Sequence, residues 1–113
     1  MARANDPFVE YARERLEPVL GPVRARPMFG GHGLYSGDIM FALISDATLY
    51  LKIDEQTEPR FVEADLSRFV YDGHTKPQRM SYCQAPEDLL DDRDVAAEWC
   101  ELALAAARRS RRR

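Results

Sequence analysis

The chain carries few of the residues that staple, anchor or catalyse. It has two cysteines, Cys83 and Cys100, two histidines, His32 and His74, and a single tryptophan, Trp99. Two cysteines make a poor disulfide framework, and neither lies at zinc-ligand spacing from another thiol or a histidine. They are read as reduced thiols, and the protein as cytoplasmic. Both histidines fall in expected loops without a second ligand at metal-site spacing, so no metal is expected and solvated side chains are the simpler reading. No apolar run approaches the roughly 20 residues of a membrane span. The run at 39–44 falls far short, and the amino terminus lacks the apolar core of a signal peptide. Neither export nor membrane insertion is expected.

What is present fits an ordinary globular domain. At 113 residues the chain can bury one core and is too short for two. The composition, 45% hydrophobic and 31% charged, lies well away from disordered or fibrous sequences. The net charge of −3 hides an asymmetry, because Arg108, Arg109, Arg111, Arg112 and Arg113 are crowded at the carboxyl end. The rest of the chain is therefore markedly acidic, and phosphate binding over its general surface is disfavoured. Residues 1–107 are expected to form one domain and 108–113 a basic, frayed tail.

Asn5 or Asp6 can cap a helix with Pro7 in its first turn, and Phe8, Ala12, Leu16, Val19 and Leu20 then recur on one face until Gly21-Pro22 stops it. Residues 23–26 alternate apolar with basic and read as a strand that Pro27 ends or confines to an edge. From 34 to 53 the pattern is an antiparallel meander with turns at 36–38 and 45–47. The segment 39–44 is apolar without interruption, as expected of a strand covered on both faces, or of one whose second face a partner covers. A short helix at 58–64 should turn Phe61 and Val62 inward. Strands follow at 68–71 and 78–83, the latter with Met80 and Tyr82 on one face and Ser81 and Cys83 on the other. Asp91 or Asp92 can cap a last helix with apolar positions Val95, Trp99, Leu102, Ala103 and Ala106. The sum is an α+β domain of two layers: an antiparallel sheet of about five strands with helices packed mainly on one face.

The candidate sites divide unevenly. Gly30, Gly31 and Gly33 can be read as a phosphate loop, but Leu34 and Tyr35 continue into strand where a nucleotide loop needs a helix amino terminus. A corner between strands, its glycines supplying positive φ or a bulge and Phe29 and Leu34 pinning its flanks, is the better reading. A Cys83 nucleophile served by His74 lacks an orienting third group or oxyanion device. Asp91, Asp92 and Asp94 lack the spacing of a calcium loop and suit a helix amino terminus. The rings of Tyr35, Tyr50, Tyr71, Tyr82 and Trp99 can serve as a stacking platform for bases, although core and half-buried strand positions explain them as well. No catalytic residue and no cofactor is expected.

One run of residues goes further. Arg26-Pro27-Met28-Phe29-Gly30-Gly31-His32-Gly33-Leu34-Tyr35 is followed in order by Met40-Phe41-Ala42-Leu43-Ile44, Leu49-Tyr50-Leu51-Lys52, Pro77-Gln78-Arg79-Met80-Ser81-Tyr82, Pro86-Glu87 and a closing helix around Trp99. In this the chain resembles the amino-terminal domain of the TfoX/Sxy family, bacterial regulators associated with competence gene expression. The family motif falls on Met28, Phe29, Gly30, Gly31, Gly33, Leu34, Tyr35, Pro77, Met80, Ser81 and Tyr82. The resemblance implies a secretion-chaperone-like two-layer α+β domain with no established catalytic set. Full-length members add a helical carboxy-terminal domain, and this chain is expected to stand without one.

Three functions follow as expectations. The first is a non-enzymatic regulatory or interaction module whose partner is another protein or a second copy of itself. The second is nucleic-acid binding through Arg24, Arg26 and the arginines at 108–113. The third is a small-molecule or enzymatic site at the glycine corner, with a pocket lined by His32, Tyr35 or Cys83.

Overall fold

The computed structural model describes residues 6–28, 30–71 and 78–111. Helix α1 (Pro7–Leu20) begins where Asp6 caps it: the Asp6 carboxylate accepts from the amides of Phe8 at 3.0 Å and Val9 at 3.4 Å. Pro7 occupies the first turn, where a missing amide costs nothing. Gly21, at φ +83°, ends the helix and donates its amide to the Glu17 carbonyl. Val9, Ala12 and Leu16 form its buried stripe.

Six strands follow: β1 (Arg24–Met28), β2 (Gly31–Ser36), β3 (Ile39–Ser45), β4 (Thr48–Lys52), β5 (Arg68–Tyr71) and β6 (Gln78–Gln84). Helix α2 (Glu58–Glu63) lies between β4 and β5, and a 3-10 turn (Leu89–Asp91) precedes helix α3 (Arg93–Arg111). The spatial order is β1-β2-β3-β4-β6-β5, with every neighbouring pair antiparallel. The α+β class is as expected, with six strands rather than about five. Part of the expected glycine corner is itself strand, since Gly31, His32 and Gly33 open β2 and pair with β1. Only Gly30, at φ +74°, keeps the turn conformation. Pro27 lies inside β1, and β1 is an edge strand, the place in a sheet where proline is tolerated.

The uninterrupted apolar run in β3 has a geometric cause. Leu34 pairs with Ala42 but Tyr35 pairs with Met40, so Phe41 is an extra residue, a β-bulge. Two consecutive side chains, Phe41 and Ala42, therefore enter the same core, while Met40 and Leu43 face the other side of the sheet. The main core gathers Leu34, Phe41, Ile44, Leu51 and Ile53 from the sheet region, Leu16 from α1 and Phe61 from α2. Val62 does not turn inward as expected; it is 65% exposed, because Phe61 alone fills the inward position of that short helix.

Helix α3 packs on β3 and β4: of the expected positions Ala103 and Ala106 are buried and Val95 and Trp99 pack partly buried against the core, and Ala96, Cys100 and Ala107 complete the buried face. Small side chains let the helix axis approach the sheet closely, and the bulkier Trp99 moves to the flank. There its ring meets Phe61 edge-on at 4.9 Å. Asp92 caps the helix, accepting from the amides of Asp94 and Val95. Cys83 and Cys100 are both buried, and neither is in a disulfide.

The frayed tail expected from Arg108 onward is helical as far as Arg111. Two long-range ion pairs hold it. The Arg109 guanidinium makes a two-point bond to the Asp54 carboxylate, with Nη2 3.0 Å from Oδ1, and Arg111 grips Asp38 through contacts of 2.6 and 2.8 Å. Asp54 also accepts from the amides of Gln56 and Thr57. The Arg109 hydrogen bond, opposed by burial, holds the Asp54 carboxyl down at about 2. A carboxyl depressed in the folded state stabilises the fold fully above its unfolded pKa, near 3.8, and stops doing so as pH falls through the folded value. Wild type should therefore exceed an Asp54→Asn variant by about 1–2 kcal/mol after allowance for solvent screening. In urea titrations that gap should stay level from pH 7 to about 4 and close between about 4 and 2. A gap unchanged at pH 2 would mean that the Asp54 charge contributes nothing.

Candidate functional site

Helices α1 and α3 share one face of the sheet, and the opposite face carries a second, smaller cluster with no described helix upon it. Strand pairing builds that open face directly, since side chains paired across antiparallel strands project to the same side. One row runs Arg26, Gly33, Leu43, Tyr50 and Gln84 from β1 to β6. A neighbouring row sets Arg24, Tyr35 and Met40 side by side, and Lys52 stands opposite Tyr82. Leu43 is fully buried at the centre, with Phe69 and Tyr82 almost so, and Met40, Tyr50 and Met80 pack around them half-buried. The Phe69 ring lies 4.7 Å from that of Tyr50. Leu43 is thus shielded by its own neighbours on the sheet.

Three cations stand over rings of this face, with Asp54 near Lys52 and Asp46 near Tyr50 at its margin. The guanidinium carbons of Arg24 and Arg26 lie 5.6 and 5.8 Å from the centre of the Tyr35 ring, and Lys52 Nζ lies 5.2 Å from that of Tyr82. Cations so placed are attracted to the negative ring face. None of the three forms an ion pair among the described residues, although Arg24 donates to the Gly37 carbonyl. Burial pushes the Tyr82 phenol up to about 12, with a smaller contribution from Tyr35. Burial lowers Lys52, opposed by Asp54, and raises Tyr50, aided by Asp46. The tyrosines are accordingly neutral hydroxyls near pH 7. This arrangement can hold an apolar surface and a flanking anion.

The family-motif residues separate into two roles. Leu34 enters the main core, Gly31 and Gly33 lie in β2, and Met28, Tyr35, Met80 and Tyr82 belong to the open face or its border. Ser81 is exposed, and its carbonyl receives the Ile53 amide at 3.0 Å. Phe29, Pro77, His74, Arg112 and Arg113 lie outside the described residues. Arg24 and Arg26 reach the open face, whereas Arg109 and Arg111 are engaged by carboxylates and Arg108 is exposed. Sequence reasoning did not single out Met40, Leu43, Lys52 or Phe69 as one surface. The signal for Lys52 was its place beside Tyr50 on the wetted side of an alternating strand.

The glycine corner is concave, and of its expected lining His32 meets the cleft while Tyr35 and Cys83 do not. A cleft of about 420 Å³ lies beside Asp6, Phe8, Gly30, Gly31, His32 and Asp46. His32 is a buried strand residue, 3% exposed, and not a solvated loop histidine. It faces the same side as its partner Ile44, whereas Tyr35 is on the open face and Cys83 is buried in the main core. The described residues include no group of three or more His, Cys, Asp or Glu able to hold a metal ion, and no helix among them is long and apolar enough to cross a membrane.

Comparison with known proteins agrees with the geometry. Residues 14–107 match the model of the TfoX N-terminal domain. The chain is similar to the DNA transformation protein TfoX1 of Aliivibrio fischeri, 35% identical over 87 residues. The aligned part covers 77% of this chain and 39% of that relative, so the chain spans about two fifths of the relative's length.

Proposed function

The chain belongs to the TfoX N-terminal domain family, and we propose that it is a non-enzymatic, competence-related regulatory module, working in the cytoplasm by binding another protein through the open face of its sheet. The observation that carries the reading is the second apolar cluster, Leu43 with Phe69 and Tyr82, on a sheet face that no described helix covers. A sheet with apolar residues on both faces normally has both faces covered. The naming of a relative for DNA transformation supports the competence-related part.

The test is capture by the purified protein from nuclease-treated cell extract, wild type against Met40→Asp, with thermal melts confirming that both are folded. A protein retained by the wild type and lost by the variant is the expected result. Partners held equally by both, or lost on nuclease treatment, would overturn the reading. The second outcome is what nucleic-acid binding predicts. That alternative has fewer cations to draw on, because Arg109 and Arg111 already hold Asp54 and Asp38.

A further inference from the structure

On the reading that the open face is an interface, we infer the chemistry of what docks there: an amphipathic helix from another protein, apolar along one stripe and acidic on its flanks. Charge is the first argument. Arg24, Arg26 and Lys52 lack ion-pair partners among the described residues and stand on the side chains that border the apolar cluster. Two carboxylates close to them, Asp38 near Arg24 and Asp54 near Lys52, are held by Arg111 and Arg109 in the last turn of α3. Arg24 lowers the Asp38 carboxyl only weakly compared with Arg111. In a chain of net charge −3 this face is thus a local reversal of sign, and a reversed patch selects an acidic ligand.

Shape and chemistry supply the second argument. From β1 to β5 the sheet crosses five strand spacings, about 24 Å at the usual separation. A helix of about 16 residues has that length. Three of the chain's four methionines, Met28, Met40 and Met80, lie on or beside the cluster, and the first two converge over Gly33. Flexible thioether side chains above a glycine form a surface that adapts to a ridge of leucine-sized side chains.

Other occupants fit less well. A second copy meeting this face by twofold symmetry would set Arg24, Arg26 and Lys52 against their own counterparts, a like-charge cost. Strand addition is hindered at both edges, by Pro27 in β1 and by the four-residue length of β5. Single-stranded nucleic acid needs a run of exposed ring faces for stacking; Phe69 and Tyr82 are only 6% and 7% exposed, and of the half-buried rings left, Tyr35 is already faced by Arg24 and Arg26 and Tyr50 packs on Phe69.

The experiment follows the methionine methyl groups by NMR in protein carrying labelled methionine. The probe is a capped 16-residue helical peptide with leucines at helical spacing and glutamates on both flanks. Two controls replace the glutamates by lysines or scramble the order, and an oligothymidylate tests the nucleic-acid outcome. The acidic peptide should shift Met28, Met40 and Met80, and R24E/R26E/K52E should weaken it at least about tenfold, with a matching loss at high salt. Equal binding of the lysine peptide, tighter binding of the oligonucleotide, or no loss in the triple variant would overturn the inference. So would sedimentation showing a dimer that buries the same methyl groups. If neither peptide binds while capture of a protein partner remains sensitive to Met40→Asp, the helix inference fails and the interface stands. If that capture is insensitive as well, the interface itself fails.

Discussion

Replacing Gly31 by alanine is expected to destabilise the protein by about 3 kcal/mol or more, the upper end of what overpacking costs. A Cβ at Gly31 would overlap the carbonyl oxygen of Ile44 and approach its carbonyl carbon at 3.0 Å and Ser45 Cα at 3.2 Å. All three are backbone atoms of β3, so no rotamer change gives relief. The start of β2 would have to withdraw from β3, and the His32–Ile44 pairing would go with it. Gly33, two residues on, makes the contrast. A Cβ there would meet Met28 Sδ and Met40 Cε, each at 2.9 Å, and both are ends of flexible side chains. Gly33→Ala should cost about 1 kcal/mol or less. Urea midpoints for the two variants provide the check, and an undiminished midpoint for Gly31→Ala would refute the close approach of β2 to Ile44.

Phe41→Ala should lose about 3–5 kcal/mol, the usual range for emptying a buried phenylalanine site. Phe41 is fully buried and is the bulged residue. Since domains of this size are commonly stable by only about 5–15 kcal/mol, the variant should show a measurable unfolded fraction well below the wild-type melting temperature. Val62→Ala, at an exposed position on α2, should stay within about 0.5 kcal/mol of wild type and serves as the control. Calorimetry of the three proteins decides the matter; a Phe41→Ala melt superimposable on that of Val62→Ala would contradict the assigned packing.

Much of the fold was legible because it is written in local pattern. The cap at Asp6, the stop at Gly21 and the alternation that puts Met80 and Tyr82 opposite Cys83 all depend on neighbours in sequence. The failures share a different cause. The arginine run looked like a tail because its partners, Asp54 and Asp38, are 55 and 73 residues away. His32 looked like a loop residue because glycines flank it, and only pairing with Ile44 reveals a strand. On α3 the expected Ala103 and Ala106 are buried, but Ala96, Cys100 and Ala107 were missed because periodicity weights large apolar residues, whereas close packing on the sheet selects small ones. The open face was the hardest to see. Its members come from all six strands, and the bulge at Phe41 is what divides the continuous run of β3 between two surfaces.

The two buried thiols have a practical consequence. Cys100 lies beneath α3 with its thiol pushed up to about 12 by burial, and Cys83 is buried in β6 against the same core. A thiol reacts as its thiolate, so modification of Cys100 in the folded molecule at neutral pH is suppressed at both the chemical and the steric step, and that of Cys83 at the steric step. Alkylation must wait for the helix to lift from the sheet. The chain therefore carries its own clock for opening, one tick under the last helix and one inside the sheet, needing no added label and readable on each variant.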